Sequence, residues 1–191
     1  MEPIKKFSAS MVALPNNDID TDQIIPARFL TTTSRDGFAP ALFADWRYDK
    51  SGALRPEFPM NRPEAKGARI LVTGRNFGCG SSREHAVWAL RENGIQAVVA
   101  TAVADIFKRN ALKNGVVPVV IDAAAHAALL ADPAATVLID LEKLLVAWPG
   151  GEAKFAIEPF ARHCLMEGVD ELGYLLSQDA AIAGYEGRMG R

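Results

Sequence analysis

Cysteine and histidine are scarce in this chain. Two cysteines, Cys79 and Cys164, and three histidines stand among its 191 residues. Two thiols in neither a C-x-x-C nor a His-Cys spacing exclude a disulfide framework and a zinc motif. Nor can they alone hold a four-iron cluster, which takes three or four thiolates. Basic runs are missing as well: 21 Lys and Arg face 23 Asp and Glu, for a net charge of -2. That argues against a nucleic-acid partner, since phosphate binding needs clustered cations to release counterions. No apolar run reaches membrane-spanning length, and the opening "MEPIKKFSASMVALPNNDIDTD" lacks the continuous apolar centre of a secretory signal. The expectation is a cytoplasmic, reducing setting without membrane contact. Internal repeats and low-complexity tracts are also absent.

What is present reads as α/β. At 49% hydrophobic and 23% charged, the balance is that of a globular protein, and the length suits one domain over residues 1–191. Residues 5–14 suit a strand. "ARILVTG", "IQAVVAT" and "VVPVVI" are apolar strand segments, separated by helical spacing over residues 83–93 and 104–113. Strand-helix-strand-helix-strand order points to a largely parallel sheet flanked by helices. Asp122 is placed to cap a short helix through Leu130, before "TVLIDL". "LLVAW" and "AKFAIE" flank "PGGE" as a hairpin, and Pro159 suits the first turn of a helix. About residues 31–66 form an irregular excursion, whose aromatics (Phe38, Phe43, Trp46, Tyr48, Phe58) imply packing against the body. About residues 160–191 read as a helical segment broken by glycines.

The stretch "NFGCGSSREH", residues 76–85, carries the chemistry. A strand, a glycine turn and a helix start in succession build an anion site, because the first N–H groups of a helix lack partners and the dipole favours negative charge. Ser81 and Glu84 have the S-x-x-E spacing of a capping box, which offers Ser81 a purely structural role. Arg83 then stands unexplained, since a cation at a helix start is unfavourable by about 0.3–1 kcal/mol. Two accounts stay open: an anion lies between Arg83 and the helix, gripped by two hydrogen bonds, or Arg83 reaches back to an Asp or to solvent. Nucleotide loops fit poorly, for lack of a G-K-[ST] and of a small residue at the end of G-x-G-x-x-G; G-x-S-x-G is absent too. Cys79 reads as a small residue under the loop rather than a nucleophile. His85 is one turn beyond Ser81, which allows a Ser-His pair or a structural contact. Asp18, Asp20 and Asp22 in "DIDTDQIIP" fail as a calcium loop, because Gln23 stands where glycine is required, and turn capping is their reading.

"NFGCGSSREHAVWAL" after a strand, "NDIDTDQIIPARFL", "VADIFKRNALKNGVVPV" with Phe107, and "RHCLMEGVDELG" together resemble the small-subunit family of 3-isopropylmalate dehydratase. The resemblance covers nearly the whole chain. It implies the aconitase-type swivelling β/β/α domain, which closes over an iron–sulfur domain carried by a separate large subunit. The implied activity is a hydro-lyase reaction of leucine biosynthesis. It interconverts 2-isopropylmalate and 3-isopropylmalate through 2-isopropylmaleate, with a [4Fe-4S] cluster in the partner and no cofactor on this chain. On the family pattern Ser81 is the base, Ser82 and Arg83 bind substrate carboxylates, and the segment after the DTD motif is the specificity loop. This last brings in Arg28 and Thr31 as substrate-binding residues and Phe29 and Leu30 as specificity residues, with ordinary core packing as their alternative. Related hydro-lyase small subunits, acting on homoaconitate, citraconate or another alkylmalate, and a non-catalytic anion-binding module remain the rivals.

Overall fold

A computed structural model describes residues 1–30 and 36–189. β1 (Lys6–Leu14) leads into a short helix, α1 (Thr21–Ile24). Among its described residues, the excursion that follows holds single 3-10 turns and one more short helix, α2 (Ala44–Arg47). The regular part then runs β2 (Ile70–Thr73), α3 (Glu84–Glu92), β3 (Ala97–Ala100), α4 (Asp105–Lys113), β4 (Val117–Val120) and α5 (Ala123–Leu130). After β5 (Thr136–Asp140) come the hairpin strands β6 (Leu145–Trp148) and β7 (Gly151–Lys154), then α6 (Pro159–Glu167), α7 (Glu171–Ser177) and α8 (Asp179–Met189).

The seven strands form one sheet in the order β4-β3-β2-β1-β5-β6-β7. β1 to β4 are parallel neighbours, as the strand-helix alternation requires. β5 pairs antiparallel with β1, placing Phe7 opposite Ile139, and β6 and β7 continue antiparallel outward. β4 is an edge, which is where Pro118 can sit without removing a ladder hydrogen bond.

Alternation along β1 divides the core in two. Val12 and Leu14 join Leu71, Val98 and the inner faces of α3 and α4 in one cluster, whereas Ala9 and Met11 join Ile70, Val72, Leu129 and Leu165 in the other. The excursion's aromatics close the first cluster: Phe38, Phe43 and Phe58 are buried, and Phe43 stacks on Trp46 at 5.6 Å between ring centroids. Burying each such ring contributes on the order of 1.5–3 kcal/mol, enough to fix an irregular segment against the body. The helix starts match expectation at two places. Asp122 accepts from the N–H groups of Ala124 and Ala125, and Pro159 is the first residue of α6, capped by Glu158. Its N–H partners Phe160 and Ala161 hold the Glu158 carboxyl below the usual carboxylate range. α8 contributes no buried side chain, and Ile182, Tyr185 and Met189 are exposed along it.

Candidate active site at the carboxyl ends of the parallel strands

Beyond Leu14 and Thr73, the last register pair of β1 and β2, the two chains stay side by side. The N–H of Gly74 donates to Asn16 O at 3.1 Å and that of Asp18 to Arg75 O at 2.8 Å. Further on, the N–H of Gly78 donates to Ile19 O at 2.7 Å and that of Thr21 to Cys79 O at 2.9 Å. From the other side, Phe77 N–H donates to Ala102 O at 3.2 Å and Ala104 N–H to Phe77 O at 2.9 Å. The glycine loop is thus clamped between the segments that leave β1 and β3. Ligand sites of open α/β sheets form at this end of the strands.

Two glycines permit the close approach. A Cβ on Gly74 would fall 2.5 Å from Asn16 O, and one on Gly78, whose φ is +75°, would fall 2.3 Å from Cγ of buried Phe107. Phe107 in turn meets Phe77 edge to face at 5.0 Å. The Phe107 motif therefore supports the loop from below. Cys79 sits in the same turn. Burial first, then the charges of Asp20 and Asp18, raise its thiol pKa, so it is kept protonated and unsuited to attack.

The capping box expected at Ser81 and Glu84 does not form. Arg83 is the N-cap of α3, no side chain caps that end, and Glu84 is the first helical residue. The reason lies in the loop: the hydroxyl of Thr21 donates to Ser81 O at 2.9 Å, and Arg83 is extended, at φ -137° and ψ 102°. Ser81 is left outside capping range. Glu84 instead accepts from Asn114 Nδ2 at 2.7 Å, tying α3 to the end of α4. A capping box exists one segment away, at α1, where Asp20 and Gln23 satisfy each other's backbone N–H at 2.8 and 2.9 Å. Turn capping is thus correct for Asp20.

Arg83 does reach back to an Asp. Its two Nη atoms grip both carboxylate oxygens of Asp22, Nη2 at 2.7 Å from Oδ2, while Nη1 also donates to Ile25 O at 3.2 Å. The Arg83 side chain is 14% exposed and that of Asp22 58%. Arg83 is therefore fixed on its inner side while its carboxylate partner stays wet. Ser81 and Ser82 are exposed at the tip of the loop, and Ser81 Oγ lies 3.5 Å from Thr21 Oγ1. The His85 ring packs edge-on against Phe38 at 5.2 Å and Trp88 at 4.6 Å, a structural setting.

The specificity segment is less concentrated. Arg28 pairs with Asp45 through both Nη atoms, at 3.2 and 2.5 Å, and lies over the Phe29 ring at 4.8 Å. Phe29 and Leu30 are half-buried against the first core cluster, the packing alternative. Thr31 falls outside the described residues. A mouth of about 520 Å³ opens beside Arg28, Phe29, Asp45 and Tyr48. A separate groove of about 690 Å³ between α4 and α6, lined by Lys108, Arg109, Glu158 and Phe160, includes none of the residues singled out by the glycine loop. Sequence reasoning missed Thr21 and Asp22 as partners of Ser81 and Arg83; the unanswered charge on Arg83 was the signal that a facing acid was due.

Among the described residues, no group of three or more His, Cys, Asp and Glu is placed to hold a metal ion, and no helix is long and apolar enough to cross a membrane. The two cysteines are free thiols, one in the loop and one buried on α6.

The family model described as the aconitase C-terminal domain matches residues 1–124, and the chain belongs to that family. A 3-isopropylmalate dehydratase small subunit of Anaeromyxobacter sp. (strain K) is 60% identical over 188 residues, 98% of each chain. One from Chloroflexus aggregans is 53% identical, over 97% of this chain and 94% of its own. The crystal structure of 3-isopropylmalate dehydratase from Methanocaldococcus jannaschii superposes with a TM-score of 0.69 at 27% identity, covering 94% of this chain and 99% of that one. Within the aconitase-type family, the chain belongs with the 3-isopropylmalate dehydratase small subunits.

Proposed function

We propose that this chain is one subunit of a two-chain hydro-lyase that interconverts 2-isopropylmalate and 3-isopropylmalate through 2-isopropylmaleate, in leucine biosynthesis. The single observation that carries its part in the chemistry is the helix start of α3. It has no side-chain cap, two exposed serines precede it, and a fixed guanidinium stands beside it. Ser81 Oγ, as the alkoxide, takes the carbon-bound proton next to a substrate carboxylate and becomes the neutral hydroxyl. The C–H electron pair becomes the new C=C bond as the hydroxyl on the neighbouring carbon departs, protonated to water by an acid that the partner subunit would supply. Water then adds in the reverse sense, its oxygen to the carbon that lost the proton and the proton on Ser81 to the carbon that lost the hydroxyl. A serine oxygen needs support to act as base, and the positive end of the α3 dipole together with Arg83 supplies positive potential where the charge develops. Ser82 and Arg83 bind substrate carboxylates, and Arg83 binds the transition state more tightly because proton removal moves charge onto the adjacent carboxylate. Arg28, Phe29 and Leu30 line the side that receives the alkyl group, and Thr31 is assigned to the same role by its sequence position alone.

Two separated cysteines do not form a ligand set for a [4Fe-4S] cluster. The cluster implied by the family belongs to the large subunit, and no step on this chain runs through it. Free thiols also suit a cytoplasmic, reducing setting.

Ser81→Ala, reconstituted with a cluster-bearing large subunit, is expected to lower kcat by about 10²–10⁴-fold while complex formation is unchanged. Near-normal turnover would move the proton transfer to another group. The same wild-type pair, given homoaconitate, citraconate and isopropylmalate in parallel, is expected to prefer isopropylmalate; preference for another acid would transfer the chain to a sister activity.

A further inference from the structure

We propose that the first turn of α1 is the positioning element of the active site, with Thr21 setting Ser81 and Asp22 setting Arg83. This rests on the reading of Ser81 as base and Arg83 as carboxylate clamp. Neither Thr21 nor Asp22 needs to touch substrate; each acts through its partner.

Thr21 is 2% exposed and is fixed from both sides. Its N–H donates to Cys79 O at 2.9 Å and its carbonyl accepts from Ile25 N–H at 2.9 Å. A threonine hydroxyl has one proton and two lone pairs. The proton is spent on Ser81 O at 2.9 Å, so the lone pairs face Ser81 Oγ at 3.5 Å. Ser81 is thereby held at its carbonyl, and in its resting, protonated form its hydroxyl is offered an acceptor by α1. That contact is what keeps the serine from becoming an ordinary cap.

Asp22 treats Arg83 in the same manner. A guanidinium has five N–H groups in a rigid fork. Asp22 takes one from each Nη, and Ile25 O takes a second from Nη1. The Nε–H and the remaining Nη2–H lie on the other edge, spaced to receive a second carboxylate with two parallel bonds. Asp22 and Ile25 O together take three of the five N–H groups, so Asp22 leaves two for a substrate carboxylate rather than competing for all of them. Both contacts come from consecutive residues of a turn that is itself closed by the Asp20–Gln23 box, so the two functional groups share one rigid reference.

The test is steady-state kinetics of the reconstituted two-subunit enzyme with isopropylmalate. Thr21→Val removes the hydroxyl at similar volume and is expected to lower kcat by about 10–100-fold, the scale of a small misplacement of a reacting group, with KM little changed. Thr21→Ser is expected to recover most of the loss. Asp22→Asn is expected to raise KM and to lower kcat as well, for a loss of more than about tenfold in kcat/KM, since the clamp it sets binds the substrate carboxylate and, more tightly, the transition state. Melting temperature and affinity for the large subunit are measured on each variant. Wild-type kcat in Thr21→Val, a Thr21→Ser variant as impaired as the valine, or a lower KM in Asp22→Asn would each overturn the proposal. Should Thr21→Val fail to fold, Thr21→Ser and Asp22→Asn still decide it, since Asp22 is largely exposed. Ser81→Ala separates the two levels. Normal turnover there removes the underlying reading, whereas an inactive Ser81→Ala beside a fully active Thr21→Val removes only this proposal.

Discussion

The starts of α1 and α3 touch each other and are finished in opposite ways. α1 is closed: Asp20 and Gln23 satisfy each other's backbone N–H groups. α3 opens on an extended arginine with no side-chain cap, although a serine and a glutamate at cap spacing stand in its sequence. A helix start with every donor answered is scaffold. One that forgoes an available cap gives up stability of the order of 0.5–2 kcal/mol and keeps its donors for something else. Here the closed start is also what holds the open one, through Thr21 and Asp22.

The contrast breaks most visibly in activity. If α3 is the working end, Ser81→Ala removes turnover but leaves the urea midpoint where it was; a midpoint shift of cap size would mean that Ser81 is structural after all. The next largest effect is on the loop that joins the two starts. Gly78→Ala forces a side chain into left-handed backbone and against Phe107, where the backbone alone is unfavourable by about 1–2 kcal/mol, so the variant is expected to melt well below wild type. An unchanged melting temperature would show that the loop can re-form elsewhere. Asp20→Ala, by opening the closed start, is expected to lower stability by about 0.5–2 kcal/mol, together with a partial loss of kcat; loss of one without the other would uncouple scaffold from site.

The smallest effect belongs to the pair outside the contrast. The hydrogen bond from Arg28, and then its charge, hold the Asp45 carboxyl below the usual carboxylate range. A depressed carboxylate stabilises the fold above its unfolded pKa, and the contribution vanishes as pH falls through the folded value. Both side chains are more than half exposed, so the pair is worth at most about 1 kcal/mol. The melting difference between wild type and Asp45→Asn is expected to be small at pH 7 and to close as the solution is acidified below the carboxylate range.

The alternation of apolar runs and helical spacing made β2, β3 and β4 legible, because a parallel strand covered on both faces must be apolar throughout. The hairpin was equally plain from its Pro-Gly-Gly turn. The return of β5 to pair with β1 was not, since nothing local records which edge a later strand joins. The site divided in the same way. The glycine loop announced itself, but the spacing of Ser81 and Glu84 imitated a cap, and only the bond from Thr21, 60 residues distant, shows why the cap is not taken. Arg83 likewise finds its carboxylate 61 residues away. Charge balance could demand an acid for Arg83; it could not choose among Asp18, Asp20 and Asp22, three acids at alternate positions of one turn.

The side-by-side run from Asn16 to Thr21 against Gly74 to Cys79 has a consequence for when the site exists. Its hydrogen bonds join segments nearly 60 residues apart, so they form only after the chain has closed the long loop that pairs β1 with β2. The amides of Gly78 and Thr21 should then exchange with solvent at the pace of the central strands rather than of surface loops. The glycine loop, for all its exposed serines, is clocked by the sheet.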